Sequence, residues 1–399
     1  MNNSKEKNEH TMDRRAFVGG ILPVIAAASV PTWAAKPAPE AAAGRQGSFP
    51  GLITREKKPL NLEFPFPTLQ ERITPNNLFF VRSHFNIPKI DAASWHLTIG
   101  GEVNQEITLT YAEIRKLPSK TVMATIECAG NGRANLAPKV KGLSWEQGGI
   151  GNANWTGVPL SVLLDKAGIK TGTVEIILEG DDQGEITDEP KSPGTIKFAR
   201  SMPLAHARQA EVIIAYQMNG KDLSAEHGFP VRAIIPGWYG MASVKWLTKI
   251  TATAIPFDGY WQTLEYAYWK RKDGLPTLTP VTTLQVKAEI SRPVLHELIT
   301  AGTTYRVFGA AWVGGNNLSK VEVSIDEGKT WQAGKLLDKA VPNAWQLWEY
   351  NWTVPKTPGR YKLMARATDE KGNMQPDHHD PDRRNYMVNF MTPIEVEVH

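Results

Sequence analysis

The sequence predicts an α+β protein with two folded domains, as three features indicate. A chain of 399 residues usually folds as two or three domains. Up to about residue 280, short helical patterns lie between strand-like runs. After Pro276–Pro280, apolar and polar residues alternate between turns spaced about 8–12 residues apart, which is typical of an immunoglobulin-like β-sandwich. We therefore predict a mixed domain over 59–280 and a sandwich domain over 281–399.

The N-terminal residues have the pattern of an export signal. Arg14 and Arg15 precede an apolar stretch over 18–30, and small residues follow it. A charged start, an apolar centre and small residues define a signal peptide, and paired arginines indicate the twin-arginine route. We predict a signal over 1–35, a flexible leader over 36–58 and a periplasmic protein. The alternative is a disordered N terminus with an incidental arginine pair.

Composition narrows the class of protein. The formal net charge of +4 is small, and no run of basic residues occurs, which argues against nucleic-acid binding. A content of 41% hydrophobic and 22% charged residues is ordinary for a globular protein. No apolar run after the N-terminal stretch has the length of a membrane helix. The mature form is therefore predicted to have no membrane span.

In the first domain, we single out one strand-like run and two short helical patterns. Thr74–Pro88 is rich in aromatic and β-branched residues, and a spacing of two puts Arg82 and His84 on the same face of a strand. The pattern 110–118 predicts a helix that begins after a threonine and ends at a proline. The pattern 157–168 predicts an amphipathic helix that ends at a glycine.

In the second domain, apolar and polar residues alternate in four segments. They are Tyr305–Trp312, Lys320–Ile325, Leu347–Thr353 and Arg360–Ala367. Residues 326–329 separate the second of these from the next strand and have the composition of a hairpin turn. The segments therefore predict the strands of the sandwich.

A single cysteine, Cys128, lies in the run Thr125–Arg133. It cannot form an intramolecular disulfide, so its thiol is free, metal-bound or paired between chains. A lone cysteine is most often a small buried hydrophobic residue. Here the segment 121–126, rich in β-branched residues, is followed closely by Ala-Gly-Asn-Gly and then Arg133. This pattern predicts a strand that ends in a tight loop. The nearby guanidinium favours the thiolate, the form that binds soft metals.

Glu127–Asn131 with Arg133, followed by Lys141–Trp145, resembles the molybdenum-site segment of the sulfite oxidase family. The resemblance extends from about residue 60 to the C terminus. It implies that the sulfur of Cys128 is a direct ligand of molybdenum, which is otherwise held by a pyranopterin dithiolene. The cofactor implied is thus molybdenum-molybdopterin.

Further motifs occur in that family's order, and the resemblance implies their roles. Cofactor binding is implied for Phe80, Val81, Arg82, His84, Asp182, His227, Arg232, Ser243 and Lys245. Roles at the substrate are implied for Arg82, Arg133, Lys141, Trp145 and Tyr266. The family's frame favours Asp182 over Asp181 and Tyr266 over Tyr260 and Tyr268. Taken singly, each residue has a structural alternative as a surface charge, a turn residue or a core aromatic.

The resemblance implies an enzyme that oxidises sulfite to sulfate by oxygen-atom transfer. The chain resembles the haem-free bacterial members, because no Cys-x-x-Cys-His motif occurs. A separate c-type cytochrome is then expected to accept the electrons, and the sandwich domain to form a homodimer. The family also has a substrate-binding arginine in its second domain, but the sequence near 386–389 does not identify the corresponding residue. His378-His379-Asp380 is interpreted as a surface loop rather than a metal site.

Two alternatives remain open. One is a related molybdoenzyme that reduces an S- or N-oxide or oxidises a carrier-bound sulfur. The other is not an enzyme but an exported β-sandwich binding protein, in which Cys128 is inert.

Overall fold

The computed structural model describes residues 47–399, so the predicted signal and the first part of the predicted leader lie outside the described residues. The first domain is built from fourteen strands and three short α-helices. In chain order they are β1 (Ile53–Lys57), β2 (Leu60–Glu63), β3 (His96–Gly101), β4 (Ile107–Thr110), α1 (Tyr111–Ile114), β5 (Lys120–Glu127), β6 (Ile150–Pro159), α2 (Leu160–Ala167), β7 (Glu175–Gly184), β8 (Ile196–Pro203), α3 (Leu204–Ala207), β9 (Ile213–Met218), β10 (Lys221–Asp222), β11 (Arg232–Ile234), β12 (Leu247–Thr253), β13 (Ala267–Lys272) and β14 (Leu275–Pro280).

Two five-stranded sheets form the body of this domain. One has the order β10-β9-β6-β5, with β11 also paired to β9, and the other has the order β4-β3-β12-β7-β8. Strand β12 runs parallel to β3 and antiparallel to β7. Strand β6 is buried along most of its length, and Trp155 at its centre is inaccessible to solvent. The two sheets therefore share one apolar core.

The two predicted helices exist, but each is shorter than its pattern. Thr110 caps α1, because its hydroxyl accepts from the Glu113 backbone N–H at 3.2 Å while the Glu113 carboxylate accepts from the Thr110 N–H at 2.8 Å. Helix α2 ends at Gly168, whose φ of 69° is left-handed. Its predicted first turn is instead strand, because Gly157 pairs with Ala215 in the β6–β9 ladder.

The predicted leader also ends earlier than expected. Residues 53–57, assigned to a flexible leader over 36–58, form β1 and pair antiparallel with β2. Arg55 makes a salt bridge with the buried Glu63 across this hairpin. This hairpin orders a segment whose composition alone indicates a linker.

The second domain is a sandwich of eight strands. They are β15 (Lys287–Arg292), β16 (Leu298–Ile299), β17 (Thr304–Trp312), β18 (Leu318–Ser324), β19 (Gln332–Leu336), β20 (Gln346–Thr353), β21 (Gly359–Asp369) and β22 (Ile394–Val398). The hydrogen-bonded order is β15-β17-β20-β19-β18-β21-β22-β16, and β15 also packs against β21, so the sheet curls over its own core. In β18, Val321 and Val323 point into that core while Lys320 and Glu322 are turned outward. The predicted α+β fold with a C-terminal sandwich is confirmed.

The two domains share buried residues. Trp312 and Trp345 of the sandwich belong to the apolar core of the first domain. The Trp345 backbone N–H donates to the Thr125 hydroxyl at 2.8 Å, two residues before the end of β5. The sandwich therefore packs directly behind the strand that leads to Cys128. Between residues 47 and 399, no helix is long and apolar enough to cross a bilayer.

Candidate active site

A cavity opens where the ends of the two sheets of the first domain meet. Its wall includes the end of β5, strands β7, β8 and β11, and the loop before β12. The lining residues are Phe79, Phe80, Arg82, Ser83, His84, Ile126, Cys128, Ala129, Asp182, Phe198, Glu226, His227, Arg232, Gly240, Met241, Ser243, Val244, Lys245, Trp246 and Tyr266. Most of the predicted cofactor-binding residues thus share one wall, although they are far apart in sequence.

Cys128 is the first residue after β5. Its backbone N–H donates to the Gly149 carbonyl at 2.8 Å, and the Asn131 N–H donates back to the Cys128 carbonyl at 2.9 Å. Gly132, with a φ of 86°, turns the chain out of this loop. The cysteine is free and buried, with 7% of its surface exposed, and it lines the cavity. The loop therefore presents a single thiol to the cavity.

Three cations line the same cavity, and among residues 47–399 none has a carboxylate partner in a salt bridge. Buried Arg232 donates to the carbonyls of His227 at 3.2 Å and Ser243 at 3.0 Å, and partly buried Lys245 donates to the carbonyl of Glu226 at 2.8 Å. Arg82 is partly exposed. None of these cations is neutralised by a direct ion pair, although the carboxylates of Asp182 and Glu226 line the same cavity.

Burial shifts the pKa values of this wall. It lowers the pKa of Arg232 to about 9 and, together with the neighbouring Arg232, lowers that of Lys245 well below its usual value. It also raises the pKa of Asp182 to about 6, against the effect of Lys245. Burial beside Lys245 and Arg232 lowers the pKa of His227 to about 3, so this imidazole is neutral at neutral pH. A bound anion would supply the missing negative charge.

Gly228 lets the backbone pass close to the side-chain stems of two of these cations. Its φ of +101° is left-handed, and a Cβ there would lie 3.0 Å from the Lys245 Cβ and 3.1 Å from the Arg232 Cβ. Any other residue would strain the backbone and crowd both stems.

His84 and Tyr266 form a hydrogen-bonded pair in the cavity wall. Nε2 of His84 lies 2.5 Å from the Tyr266 hydroxyl, and the imidazole stacks on Phe198 at 4.5 Å between ring centroids. Burial, with Arg82 and Lys245 nearby, lowers the pKa of His84, and burial raises that of Tyr266. The phenol therefore keeps its proton beside a neutral imidazole, and the tautomer of His84 decides which of the two groups donates.

Comparison with known proteins agrees with this geometry. Residues 84–261 match the oxidoreductase molybdopterin binding domain, and residues 279–398 match the Mo-co oxidoreductase dimerisation domain. Sulfite oxidase of Gallus gallus is 35% identical over 365 residues, which cover 86% of this chain and 77% of that protein. The chain belongs to the sulfite oxidase family of molybdoenzymes. The family predicted from the cysteine motif is thereby confirmed, and with it the molybdenum-molybdopterin cofactor and the enzyme class.

Two further relatives also match most of this chain. The mitochondrial sulfite oxidase of Rattus norvegicus is 32% identical over 369 residues, covering 88% of this chain and 66% of that protein. The crystal structure of the sulfane dehydrogenase SoxCD from Paracoccus pantotrophus superposes with a TM-score of 0.73 and 25% identity, covering 92% of this chain and 95% of that chain. The SoxCD fold thus matches this chain over both domains.

The cavity fits the family's cofactor in three respects. Its thiol is the only one in the chain and suits a soft metal. Its cations, which have no direct ion pair, suit a phosphate. The glycine at 228 places no side chain over the stems of Arg232 and Lys245. The predicted roles of Cys128 at the metal and of Arg232, Lys245 and His227 at the pterin are consistent with this cavity and stay predictions.

Four predicted site residues lie outside the cavity wall. Val81 is buried and pairs with Leu62, while Trp145 is fully buried with its ring 6.2 Å from that of Phe80. Arg133 donates to the carbonyls of Leu143 and Asn385, at 3.0 and 3.1 Å. Lys141 is half exposed and donates to the Glu189 carbonyl at 2.6 Å. In this structure these residues support or flank the site, and their predicted contact with cofactor or substrate stays a prediction.

The sequence analysis missed residues that position Tyr266. A π-helical turn, Trp261–Glu265, precedes this tyrosine. Nη1 of Arg384, from the second domain, donates to the carbonyls of Leu264 at 3.0 Å and Ala267 at 2.9 Å. Arg384 also lines a surface pocket with Lys141 and Tyr386. A cation in a Pro- and Asp-rich loop was visible in the sequence, but the sequence does not show that its side chain reaches the turn before Tyr266.

His378, His379 and Asp380 do not converge on a common centre. His379 Nε2 lies 2.7 Å from the Arg384 carbonyl, while His378 is paired with Asp377. Within residues 47–399, no group of three or more His, Cys, Asp or Glu side chains has the arrangement of a metal site.

Proposed function

We propose that this enzyme is a sulfite dehydrogenase. The observation that carries the proposal is one cavity that combines a single thiol, cations without carboxylate partners and a Tyr-His pair. The 35% identity to a sulfite oxidase supports the choice of sulfite. The net reaction converts sulfite and water to sulfate, two protons and two electrons.

When bound, the molybdenum cofactor supplies oxygen-atom transfer and accepts two electrons. The cations Arg232 and Lys245 hold the anionic end of the pterin, and Cys128 donates its thiolate to the metal. Arg82, which is only partly buried, attracts and orients the sulfite dianion with paired N–H donors. His84, neutral and protonated at Nε2, donates to the phenol oxygen of Tyr266. The phenol proton is then free to form a hydrogen bond to an oxygen at the reacting centre.

A sulfane dehydrogenase is the second candidate, because the sulfane dehydrogenase structure matches 92% of this chain. The two candidates separate in an assay of the purified holoenzyme with ferricyanide as electron acceptor. We expect rapid ferricyanide reduction with sulfite. Reduction only with a carrier-bound sulfane, or turnover only of sulfoxide with reduced viologen, would reject the sulfite proposal.

Arg82→Gln tests the substrate role. Losing a charge-assisted hydrogen bond of about 1.5–3 kcal/mol should raise KM for sulfite roughly 10- to 150-fold, with a smaller change in kcat. Lys166→Gln, which removes an exposed charge from α2, is the control and should leave KM unchanged. An unchanged KM in Arg82→Gln enzyme with full molybdenum content contradicts this role.

The proposed location is the periplasm, reached by twin-arginine export. The support is the arginine pair before an apolar stretch at residues 14–30. Replacing Arg14 and Arg15 by lysine preserves charge but removes the pair, and should leave folded enzyme in the cytoplasm. Fractionation measures this, and unchanged export of the double variant argues against the route.

The proposed assembly is a homodimer that passes electrons to a separate c-type cytochrome. The match of residues 279–398 to a dimerisation domain supports the dimer. Sedimentation should then give twice the mass of one mature chain. Sulfite-dependent reduction of a purified periplasmic cytochrome, measured by its visible absorption, tests the acceptor.

A further inference from the structure

Three buried charges lie behind Cys128, at the junction of the two domains. Glu127, Lys287 and Glu289 are 1%, 2% and 4% exposed. Nζ of Lys287 lies 3.1 Å from Oε1 of Glu289 and 3.7 Å from Oε1 of Glu127. Gln147 donates to Glu289 at 2.7 Å. One lysine from the sandwich domain thus faces two carboxylates, one of them on the residue that precedes the metal-binding cysteine.

The Glu127 carboxylate braces the cysteine loop. Its Oε1 accepts from Asn131 Nδ2 at 3.1 Å, and its Oε2 accepts from the Trp312 indole N–H at 2.9 Å. Oδ1 of Asn131 in turn accepts from the Gly149 N–H at 2.9 Å. Gly149 is also the residue whose carbonyl holds the Cys128 N–H. Glu127 therefore links both sides of the thiol-bearing loop to one network.

That network is anchored in the sandwich. Trp312 ends β17 and Lys287 begins β15, and the Met387 N–H donates to the Ala129 carbonyl at 2.8 Å. The side chain of Lys287 also lies against the loop glycine, because a Cβ on Gly132 would be 3.4 Å from Nζ. The loop that carries the thiol thus takes its position from the second domain.

Domain packing alone does not require these charges. Burying ions costs several kcal/mol each, and well-packed apolar side chains of similar size often stabilise a buried site as well or better. The shared apolar core already joins the domains through Trp312 and Trp345. The charges have another effect, because a lysine next to a buried carboxylate offsets negative charge where a thiolate must also lie.

We propose that Lys287 is a positioning residue of the metal site. Its ion pair with Glu289 and its contact with Glu127 hold the Glu127 carboxylate on Trp312 and Asn131, and thereby fix the Cys128 thiolate and balance the charge beside it. The proposal concerns the metal ligand and not the substrate. It therefore stands or falls independently of sulfite oxidation.

The test uses the holoenzyme matured in a host that makes molybdopterin. Lys287→Met removes one positive charge at nearly constant length, and Glu289→Gln removes one negative charge while keeping an acceptor for Gln147. The double variant restores the net charge of the parent without the ion pair. Ser291→Ala is the matched control, since Ser291 makes another buried interdomain hydrogen bond, to the Phe66 carbonyl at 3.0 Å, from the same strand.

Three quantities are measured: molybdenum per chain, the thiolate-to-molybdenum charge-transfer band, and thermal unfolding of cofactor-free protein. Lys287→Met should lower molybdenum content several-fold and shift the band, and the double variant should recover much of both. Ser291→Ala should change unfolding only. The proposal is overturned if Lys287→Met keeps the parent's metal content and band, if the double variant is as impaired as Lys287→Met, or if Ser291→Ala causes the same losses. If Lys287→Met does not fold, Glu289→Gln decides: it breaks the same ion pair and should shift the band, and an unaltered band overturns the proposal.

Discussion

Cys128→Ser is expected to leave a folded protein with almost no oxidoreductase activity. Serine preserves the size of the side chain, but its hydroxyl stays protonated at neutral pH and is a poor ligand for a soft metal. The loss of kcat should exceed the roughly 10- to 100-fold effect typical of removing an outer partner of a metal ligand. Molybdenum content and the charge-transfer absorption of the purified variant measure the result.

The cations of the cavity wall are unchanged in this variant, so retention of the pterin should fall less than activity. Thermal unfolding of the cofactor-free protein should stay close to that of the parent, because the loop is held by the backbone bonds of Cys128 rather than by its sulfur. Full activity in Cys128→Ser protein with parental molybdenum content would contradict assignment of the thiol to the metal.

The parts of the site that local patterns specify were predictable from sequence. The cysteine loop could be located within a few residues. It follows the β-branched run that forms β5, and it contains the sole thiol and Ala-Gly-Asn-Gly. The run from His227 to Lys245 was recognised by its resemblance to the family's cofactor-binding segment, because each of its polar residues taken singly has a structural alternative. Both are local features, and both line the cavity in the structure.

Contacts between distant segments were not predictable. Arg133 is close to Cys128 in sequence and its guanidinium packs against Gly130, but it also donates to the Asn385 carbonyl, 252 residues further along the chain. The Glu127–Lys287 contact similarly joins the end of β5 in the first domain to the start of β15 in the second. Alternation predicts that such strands exist but carries no information about which polar side chains meet when two domains pack.

Arg232→Met should have opposite effects on cofactor retention and on the stability of the cofactor-free protein. The guanidinium is 5% exposed, is bonded only to carbonyls and lies 5.0 Å from the Trp155 ring. Burial lowers its pKa to about 9, which means that the folded protein disfavours the charge. Replacing such an ion by a well-packed apolar side chain should raise the free energy of unfolding by about 1–2 kcal/mol, or leave it unchanged.

With cofactor, the same substitution removes a charge-assisted bond of about 1.5–3 kcal/mol, so the dissociation constant should rise roughly 10- to 150-fold. Urea unfolding of cofactor-free protein and molybdenum content after dialysis measure the two effects. Arg200→Met is the control, because Arg200 is equally buried and donates only to the carbonyls of Trp261 and Val281, but does not line the cavity. If Arg232→Met lowers stability and retention in the same proportion as Arg200→Met, then Arg232 acts as a structural residue, and the cofactor's anionic end is held by Lys245 and its neighbours instead.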